Sequence, residues 1–346
     1  MNLQEETAPS RTAGEILAWS RYLIEPALRT AVAGLPGRAR RVASYHFGWE
    51  DAGGTPIRAG GGKAVRPALV LLTAEAVGGA AATALPAALA VELVHNFTLL
   101  HDDVIDGDET RRHRATAWRV FGVDNAILAG DALHSFAFET LAADGHPAAL
   151  GALGTLSHAI VEVLEGQAED VAFERRTDVT LSEVLTMSAQ KTGALMSAAA
   201  ALGAAYGSGS PDQIAGLRRF GAHLGIAFQL VDDLLGIWGD PSVTGKPVHS
   251  DLYNHKKTVP VVAALASGTA AGAELATLYH RDQPLTDEEA ALAAGLIEAA
   301  GGRAWTVRRA EEELDRALTE LDAAAPIHPA AAELRSLARL VTERDH

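Results

Sequence analysis

Cysteine is absent from all 346 residues. Disulfides, thiolate metal sites, iron–sulfur clusters and cysteine nucleophiles are therefore excluded. Aromatic residues make up only 5% of the chain, against 48% hydrophobic residues overall. Ala and Leu carry the apolar content, which favours helix over sheet. Basic residues are the scarcer charge, with 29 Lys and Arg against 44 Asp and Glu and a net charge of −15. A nucleic-acid binder needs the opposite balance, so no nucleic-acid partner is expected. Long runs of strongly apolar residues are also missing. The uncharged stretches 76–91 and 192–211 are rich in Ala, Gly and Ser and are broken by Pro86 or Gly207. A membrane span needs about 20 strongly apolar residues, so none is expected. Residues Met1 to Arg11 are polar and hold no apolar core. No secretory signal is read there, and the expectation is a soluble cytoplasmic protein.

Residues 1–12 read as a short disordered tail and residues 13–346 as a single domain. A helical pattern begins near Ala13 and carries Ile16, Leu17, Tyr22, Leu23 and Leu28 at helix-like spacings. The glycine-dense segment 51–62 is a loop. Successive amphipathic helices follow from Val65 to about Gly207, with breaks at Gly78-Gly79, Gly122, 145–147 and Asp178. A polar loop is expected over 239–256. Helices then resume after Pro260 and run to the C-terminus, interrupted at Gly301-Gly302 and 326–329. The fold class this implies is all-α, a large helical bundle around a deep central pocket.

Two acidic clusters interrupt apolar helical runs. The first is Leu99-Leu100-His101-Asp102-Asp103-Val104-Ile105-Asp106, and the second is Phe228-Gln229-Leu230-Val231-Asp232-Asp233-Leu234-Leu235-Gly236. Asp102 and Asp106 are four apart and share a helix face, where like charges repel unless a cation sits between them. Oxygen-only donors suit Mg²⁺, which takes one or two carboxylates together with waters and substrate phosphates. One Asp-Asp pair alone would read as a solvated helix end; two such pairs, each flanked by Leu, Val and Phe, do not. Cations stand apart from these clusters, at Lys63, Arg66, Arg111-Arg112, Lys191, Lys246 and Lys256-Lys257. Together with the carboxylates they point to a site for phosphorylated ligands.

These residues resemble the polyprenyl synthetase family, the trans-isoprenyl diphosphate synthases. The resemblance covers about Leu17 to Leu340. It rests on Gly61-Gly62-Lys63 with Arg66-Pro67, on Glu92-Leu93-Val94-His95, and on the Asp102–Asp106 motif followed by Arg111-Arg112. Further along it rests on Gly166-Gln167 with Asp170, Lys191-Thr192, Phe228-Gln229 with Asp232-Asp233, and Gly245-Lys246 followed by Asp251 and Lys256. The resemblance implies an isoprenoid-synthase bundle, a homodimer, and condensation of isopentenyl diphosphate with an allylic diphosphate. It implies three Mg²⁺ ions, two on Asp102 and Asp106 with Asp103 in support, and a third on Asp232 with Asp233 nearby. Arg111, Lys191 and Lys246 would hold the allylic diphosphate, with Lys256 close by. Lys63, Arg66, His95 and Arg112 would hold the diphosphate of isopentenyl diphosphate. Thr192 and Gln229 would stabilise the allylic cation through oxygen dipoles.

Departures from the family pattern are equally specific. Gly236 stands where the second motif often has a third Asp, so Asp232 lacks an i+4 carboxylate; the first two Asp remain, and metal binding is expected to persist. Ala64 replaces a usual basic residue. His113, His249 and His255 stand where Gly is common. His101 reads as a packing residue. For chain length, Thr98 lies four residues before Asp102, about 6 Å lower along the helix, and Phe97 lies five before it, about 7.5 Å lower. Phe97 is bulky enough to act as a pocket floor, and in the family a lone aromatic there marks short-chain synthases. Geranylgeranyl diphosphate (C20) is the favoured product and farnesyl diphosphate (C15) the alternative; plain core packing of Phe97 is the competing reading. A terpene cyclase would need an Asn/Asp, Ser/Thr and Glu triad that is not found. A degenerate regulatory subunit has only Gly236 and Ala64 in its favour.

Overall fold

The computed structural model describes residues 10–59, 62–241, 248–281 and 283–342. The chain runs through α1 (Ala13–Gly34), α2 (Gly37–His46), α3 (Val65–Ala76), α4 (Leu85–Ile105), α5 (Ala117–Phe121), α6 (Val123–Ala142) and α7 (Ala149–Glu174). It continues through α8 (Leu181–Ser188), α9 (Ala194–Tyr206), α10 (Pro211–Trp238), α11 (Ser250–Tyr253) and α12 (Val259–Leu265). The last helices are α13 (Ala270–Tyr279), α14 (Asp287–Ala299), α15 (Gly302–Ala323) and α16 (Ala330–Thr342). The named strands among the described residues are the pair β1 (Thr110–Arg111) and β2 (Arg114–Ala115). The fold is all-α, as the scarcity of aromatics and the Ala/Leu content led one to expect.

Packing divides the chain into two compact units, each assembled from segments distant in sequence. The first comprises Met1–Ser157, Ala198–Arg218 and Glu320–Leu337; the second comprises His158–Ser197, Arg219–Thr319 and Ala338–His346. In the first unit α3 is buried on nearly every side, from Val65 to Ala76, as an all-round apolar helix must be. Helix α4 packs on α6, and Ala87 and Ala90 of the first and Ala126, Ala129 and Ala137 of the second are fully buried. In the second unit Leu230, Val231 and Leu235 of α10 pack with Val184, Met187, Val259 and Val262. Ile237 of the same helix packs with Leu252, Val261 and Tyr279. The C-terminal end of α10 is thus clamped by two apolar clusters, which fixes the rotation of the acidic residues it carries.

Four expectations are corrected in detail. Arg11 and Thr12 do not belong to a disordered tail; residues 1–9 lie outside the described residues. The Arg11 guanidinium bridges Glu333 and Glu75 and lies over the Trp19 ring. Thr12 and Glu15 cap α1 reciprocally. Tyr22 is 79% exposed, because the buried stripe of α1 runs through Ile16, Ser20, Ile24 and Leu28 at four-residue steps. The expected polar loop over 239–256 contains the short helix α11, held by buried Leu252. Finally, two helical stretches, Ala81–Ile105 and Pro211–Trp238, are long and apolar enough by composition to cross a membrane. Their apolarity serves packing in this fold, for 67% and 61% of their apolar windows lie inside the protein.

Candidate active site

Asp102, Asp103 and Asp106 lie at the C-terminal end of α4. The Asp106 N–H donates to the Asp102 carbonyl at 2.8 Å, so the helical turn is intact and both carboxylates lie on one side of it. Both are half-buried, whereas Asp103 turns inward and is only 1% exposed. Arg111 Nε donates to Asp103 Oδ1 at 2.6 Å, and its Nη2 lies 3.9 Å from Asp108. Burial nevertheless outweighs Arg111 and pushes the Asp103 carboxyl up to about 6. Sequence placed Asp103 beside the metals; here it anchors Arg111, and through it the hairpin.

That hairpin turns at Arg112 and His113, with φ of 52° and 60°. Two consecutive left-handed residues are what a two-residue hairpin requires. The side chains of Arg111 and Arg112 separate as a result. The Arg112 guanidinium lies against Gly62, where a built Cβ would stand 2.8 Å from its Nη2. Arg66 Nη1 donates to His95 Nε2 at 3.2 Å, since arginine has no acceptor. His95 is thereby neutral, and burial together with Arg66 and Arg112 drives its pKa well below the ordinary value. Glu92 is buried beside these cations, its carboxyl raised by burial and pulled back by Arg66 and Arg112. Three of the four residues read as a diphosphate site thus form one cluster. Lys63 is exposed, next to Gly62.

Sequence reasoning missed the support beneath this cluster. Asn96 donates its amide to the Glu92 carbonyl and carboxylate, at 2.8 and 3.1 Å. Its Oδ1 must then accept from His46 Nε2, 3.2 Å away. Burial first, then Arg112 and Arg111, lowers His46 to about 3, so it is a neutral strut. His46 carried no sequence signal, being one histidine in a basic stretch. His101 packs as expected, with Nε2 3.1 Å from the Ile127 carbonyl and its ring edge-on to Phe97. Phe97 also meets His134 of α6 at 5.1 Å, and the Thr98 hydroxyl donates to the His95 carbonyl.

In the second unit Lys191 and Thr192 lie in a π-turn, Ala189–Gly193, between α8 and α9. Such turns recur at functional positions. Gly166 lets this turn touch α7, for a Cβ there would meet Lys191 Cα and Gln190 Cβ at 2.9 Å. Lys191 Nζ donates to Asp170 Oδ2 at 2.6 Å, an ion pair that sequence named as a motif member without a role. The Thr192 hydroxyl donates to Gln229 Oε1, Gln229 Nε2 donates to Asp233 Oδ1 at 2.8 Å, and the Val259 N–H donates to Asp233 Oδ2 at 3.0 Å. Asp233 therefore caps the first turn of α12. Asp232 faces outward and is exposed. Lys246 lies outside the described residues, and Lys256 is half-buried. His249 and His255, with φ of 63° and 49°, sit in left-handed turns, the same reason that explains His113.

Among the described residues no three His, Asp or Glu side chains gather closely enough to hold a metal by themselves. Mg²⁺ commonly takes one or two carboxylates and fills its remaining positions with water and phosphate oxygens. The donor set fits Mg²⁺. Asp102 and Asp106 offer hard oxygens at helix spacing, and the neighbouring Asp103 Oδ2 is buried without a hydrogen-bond partner among the described residues. Both polar atoms of Gln167 are likewise buried and unpartnered, one turn before Asp170.

Asp233 yields a pH prediction. Burial holds its carboxyl protonated in the folded chain up to about 7, while the unfolded side chain keeps the ordinary 3.8. Between those values the unfolded state binds fewer protons. The contribution is therefore complete below about pH 4 and lost as pH rises toward 7. Metal-free wild-type protein should lose stability across that window relative to Asp233→Asn, with Gln229 turned to accept from the new amide. Urea titrations at each pH measure this; a pH-independent difference between the two would contradict it.

Comparison with known proteins gives the family. The sequence profile described as Polyprenyl synthetase matches residues 55–295. The chain is 46% identical over 333 residues to (2E,6E)-farnesyl diphosphate synthase of Mycobacterium tuberculosis, covering 95% of this chain and 92% of that one. It is 42% identical over 340 residues to geranylgeranyl diphosphate synthase of the same species, covering 98% and 96%. A solved polyprenyl synthetase from Streptomyces coelicolor A3(2) matches with a TM-score of 0.90 at 47% identity, covering 94% of this chain and 98% of that one. On the family profile over most of its length and on relatives above 40% identity that it covers almost end to end, the chain is a prenyltransferase of the polyprenyl synthetase family.

Proposed function

We propose that the chain condenses isopentenyl diphosphate head to tail with an allylic diphosphate and releases a short linear prenyl diphosphate, with C20 favoured over C15. One observation carries this. The Asp102–Asp106 turn and a half-buried Arg66–His95–Arg112 cluster stand in the same compact unit. Carboxylates suited to a cation and cations suited to a diphosphate are two halves of diphosphate chemistry.

In this reading Arg112 and Arg66 grip the isopentenyl diphosphate, with Lys63 at the exposed end and His95 adding a donor once the anion's charge offsets Arg66 and Arg112. Arg111, Lys191 and Lys246 hold the allylic diphosphate, with Lys256 close by. Lys191 exchanges Asp170 for the more highly charged ligand. Asp102, Asp106 and Asp232 would hold Mg²⁺, three ions in all, with Asp103 in support, and the ions would supply charge neutralisation for the leaving diphosphate. Thr192 Oγ1 and Gln229 Oε1 offer lone pairs, since Thr192 turns its hydrogen onto Gln229 and Gln229 turns its amide onto Asp233. Those oxygens stabilise the allylic cation without trapping it. The double bond of isopentenyl diphosphate attacks the cation, and the proton lost from the adduct passes to the departing diphosphate. No side-chain nucleophile is needed. Residues 13–346 act as one catalytic domain in a cytoplasmic homodimer.

Incubating the purified protein with Mg²⁺, isopentenyl diphosphate and allylic diphosphates of C5, C10 and C15, then identifying products by mass spectrometry, tests the reading. Linear prenyl diphosphates support it. Cyclic hydrocarbons or no turnover would refute it.

Product length turns on Phe97. The ring is 5% exposed and packs on α6 against His134. A floor built in this way is firm. Phe97→Ala should lengthen products beyond C20, and Thr98→Phe should shorten them. An unchanged distribution from an active Phe97→Ala protein would make the ring ordinary packing and remove the basis for C20.

A further inference from the structure

The hairpin that presents Arg111 and Arg112 has two residues in each strand. A ribbon so short does not hold its own shape in water, and its register adds a cost. Arg111 and Arg114 stand directly opposite one another, where like charges repel. Arg111 is answered by Asp103 and Asp108. Arg114 is answered by two backbone carbonyls and a ring.

Arg114 Nη1 donates to the Tyr45 carbonyl at 2.8 Å, and its Nη2 donates to the Glu50 carbonyl at 3.1 Å. The guanidinium lies 4.1 Å from the centroid of the Tyr45 ring, within cation–π range. The Tyr45 hydroxyl returns a bond to the Ala115 carbonyl at 2.7 Å, and Tyr45 is itself buried, edge-on to Phe121. Tyr45 belongs to the last turn of α2, and Glu50 to the segment that follows it. In that segment the Ile57 N–H donates to the Trp49 carbonyl and the Ala59 N–H to the Gly48 carbonyl. The chain thus doubles back before it reaches Gly62 and Lys63. One planar fork spans two carbonyls five residues apart, a geometry that a lysine ammonium does not match.

Arg112 needs this support more than Arg111 does. Burial and Arg111 disfavour its charge, and Glu92 and Asp103 act on it through charge rather than through a hydrogen bond. Its guanidinium rests against Gly62, beyond the segment that Arg114 holds. Tyr45, His46, Asp103, Arg111, Arg112 and Arg114 line one small cavity at the hairpin. All three guanidinium groups act on the buried His46. Cations gathered this closely move apart unless the backbone beneath them is fixed.

We propose that Arg114 is a positioning residue for the isopentenyl diphosphate site, clipping the hairpin to residues 45–59 so that Arg112 and Lys63 meet one ligand. It acts through Arg112 and touches no substrate. The allylic side is spared, because Arg111 has its own anchor in Asp103. The inference rests on the diphosphate role of Arg112 and Lys63 proposed above.

The test combines calorimetric titration of the whole protein with isopentenyl diphosphate and steady-state KM values for both substrates, with circular dichroism confirming helicity. Arg114→Gln should weaken isopentenyl diphosphate binding and raise its KM by about tenfold, within the range that a displaced binding group costs. The allylic KM and kcat should stay within about twofold. Arg114→Lys, the milder change, keeps the charge and loses the fork, and should remain at least about threefold weaker than wild type. In an Arg112→Ala background Arg114→Gln should add less than about twofold, since a residue acting through Arg112 then has nothing to position. The proposal is overturned if Arg114→Gln binds like wild type, or if Arg114→Lys does, for charge alone would then suffice. Equal rises in both KM values, or multiplying effects of Arg112→Ala and Arg114→Gln, would overturn it as well. Wild-type protein that neither binds nor consumes isopentenyl diphosphate would instead remove the reading beneath it, and the proposal with it.

Discussion

Asp102→Ala and Asp106→Ala should each lower turnover by at least about 10³-fold, a barrier increase of roughly 4 kcal/mol. The leaving diphosphate loses the charge neutralisation on which ionisation depends, an effect worth several kcal/mol in a water-poor site. Helix content should be unchanged. Both side chains are half-exposed at the end of α4, and removing two mutually repelling carboxylates relieves the turn. Steady-state rates at saturating Mg²⁺ and circular dichroism measure the two halves of the expectation. Near-normal turnover in Asp102→Ala would sink the metal assignment.

Arg112→Ala should cut kcat/KM for isopentenyl diphosphate by about 10- to 100-fold, the worth of one or two charged hydrogen bonds at roughly 1.5–3 kcal/mol. The KM for the allylic substrate should move little, because Arg111, not Arg112, faces Asp103 and Asp108. A confound lies in Glu92, which is buried beside Arg112 and Arg66 and would lose one of the two cations that offset its burial. Arg112→Ala with Glu92→Gln removes that charge and separates damage to the fold from damage to the site. If the allylic KM rises instead and the isopentenyl KM stays put, the two diphosphate assignments are exchanged.

How far the site was legible differs from residue to residue. The i,i+4 spacing of Asp102 and Asp106 was readable because helical geometry is local. The separation of Arg111 from Arg112 comes from the hairpin turn between them and their paired strand. Asp103 and Asp233 looked equivalent to their neighbours in sequence. Burial divided each pair: one member turned outward, the other inward to anchor Arg111 or to cap α12. The three histidines that replace glycine were visible as departures, but their left-handed backbone was not.

The sequence by itself determined what depends on residue identity and short spacing. It excluded thiol chemistry, set the helical class through Ala and Leu, and marked two acidic clusters with cations at fixed distances along the chain. Tertiary structure alone decided what depends on contacts between distant segments. It joined His46 to Asn96 and Glu92 beneath the cationic cluster, tied Lys191 to Asp170, and set Asp251 over Gly236, 15 positions away in the chain. The physical reason is that a carboxylate's role follows from its desolvation and its partners, and both are properties of the packed chain rather than of the local run of residues.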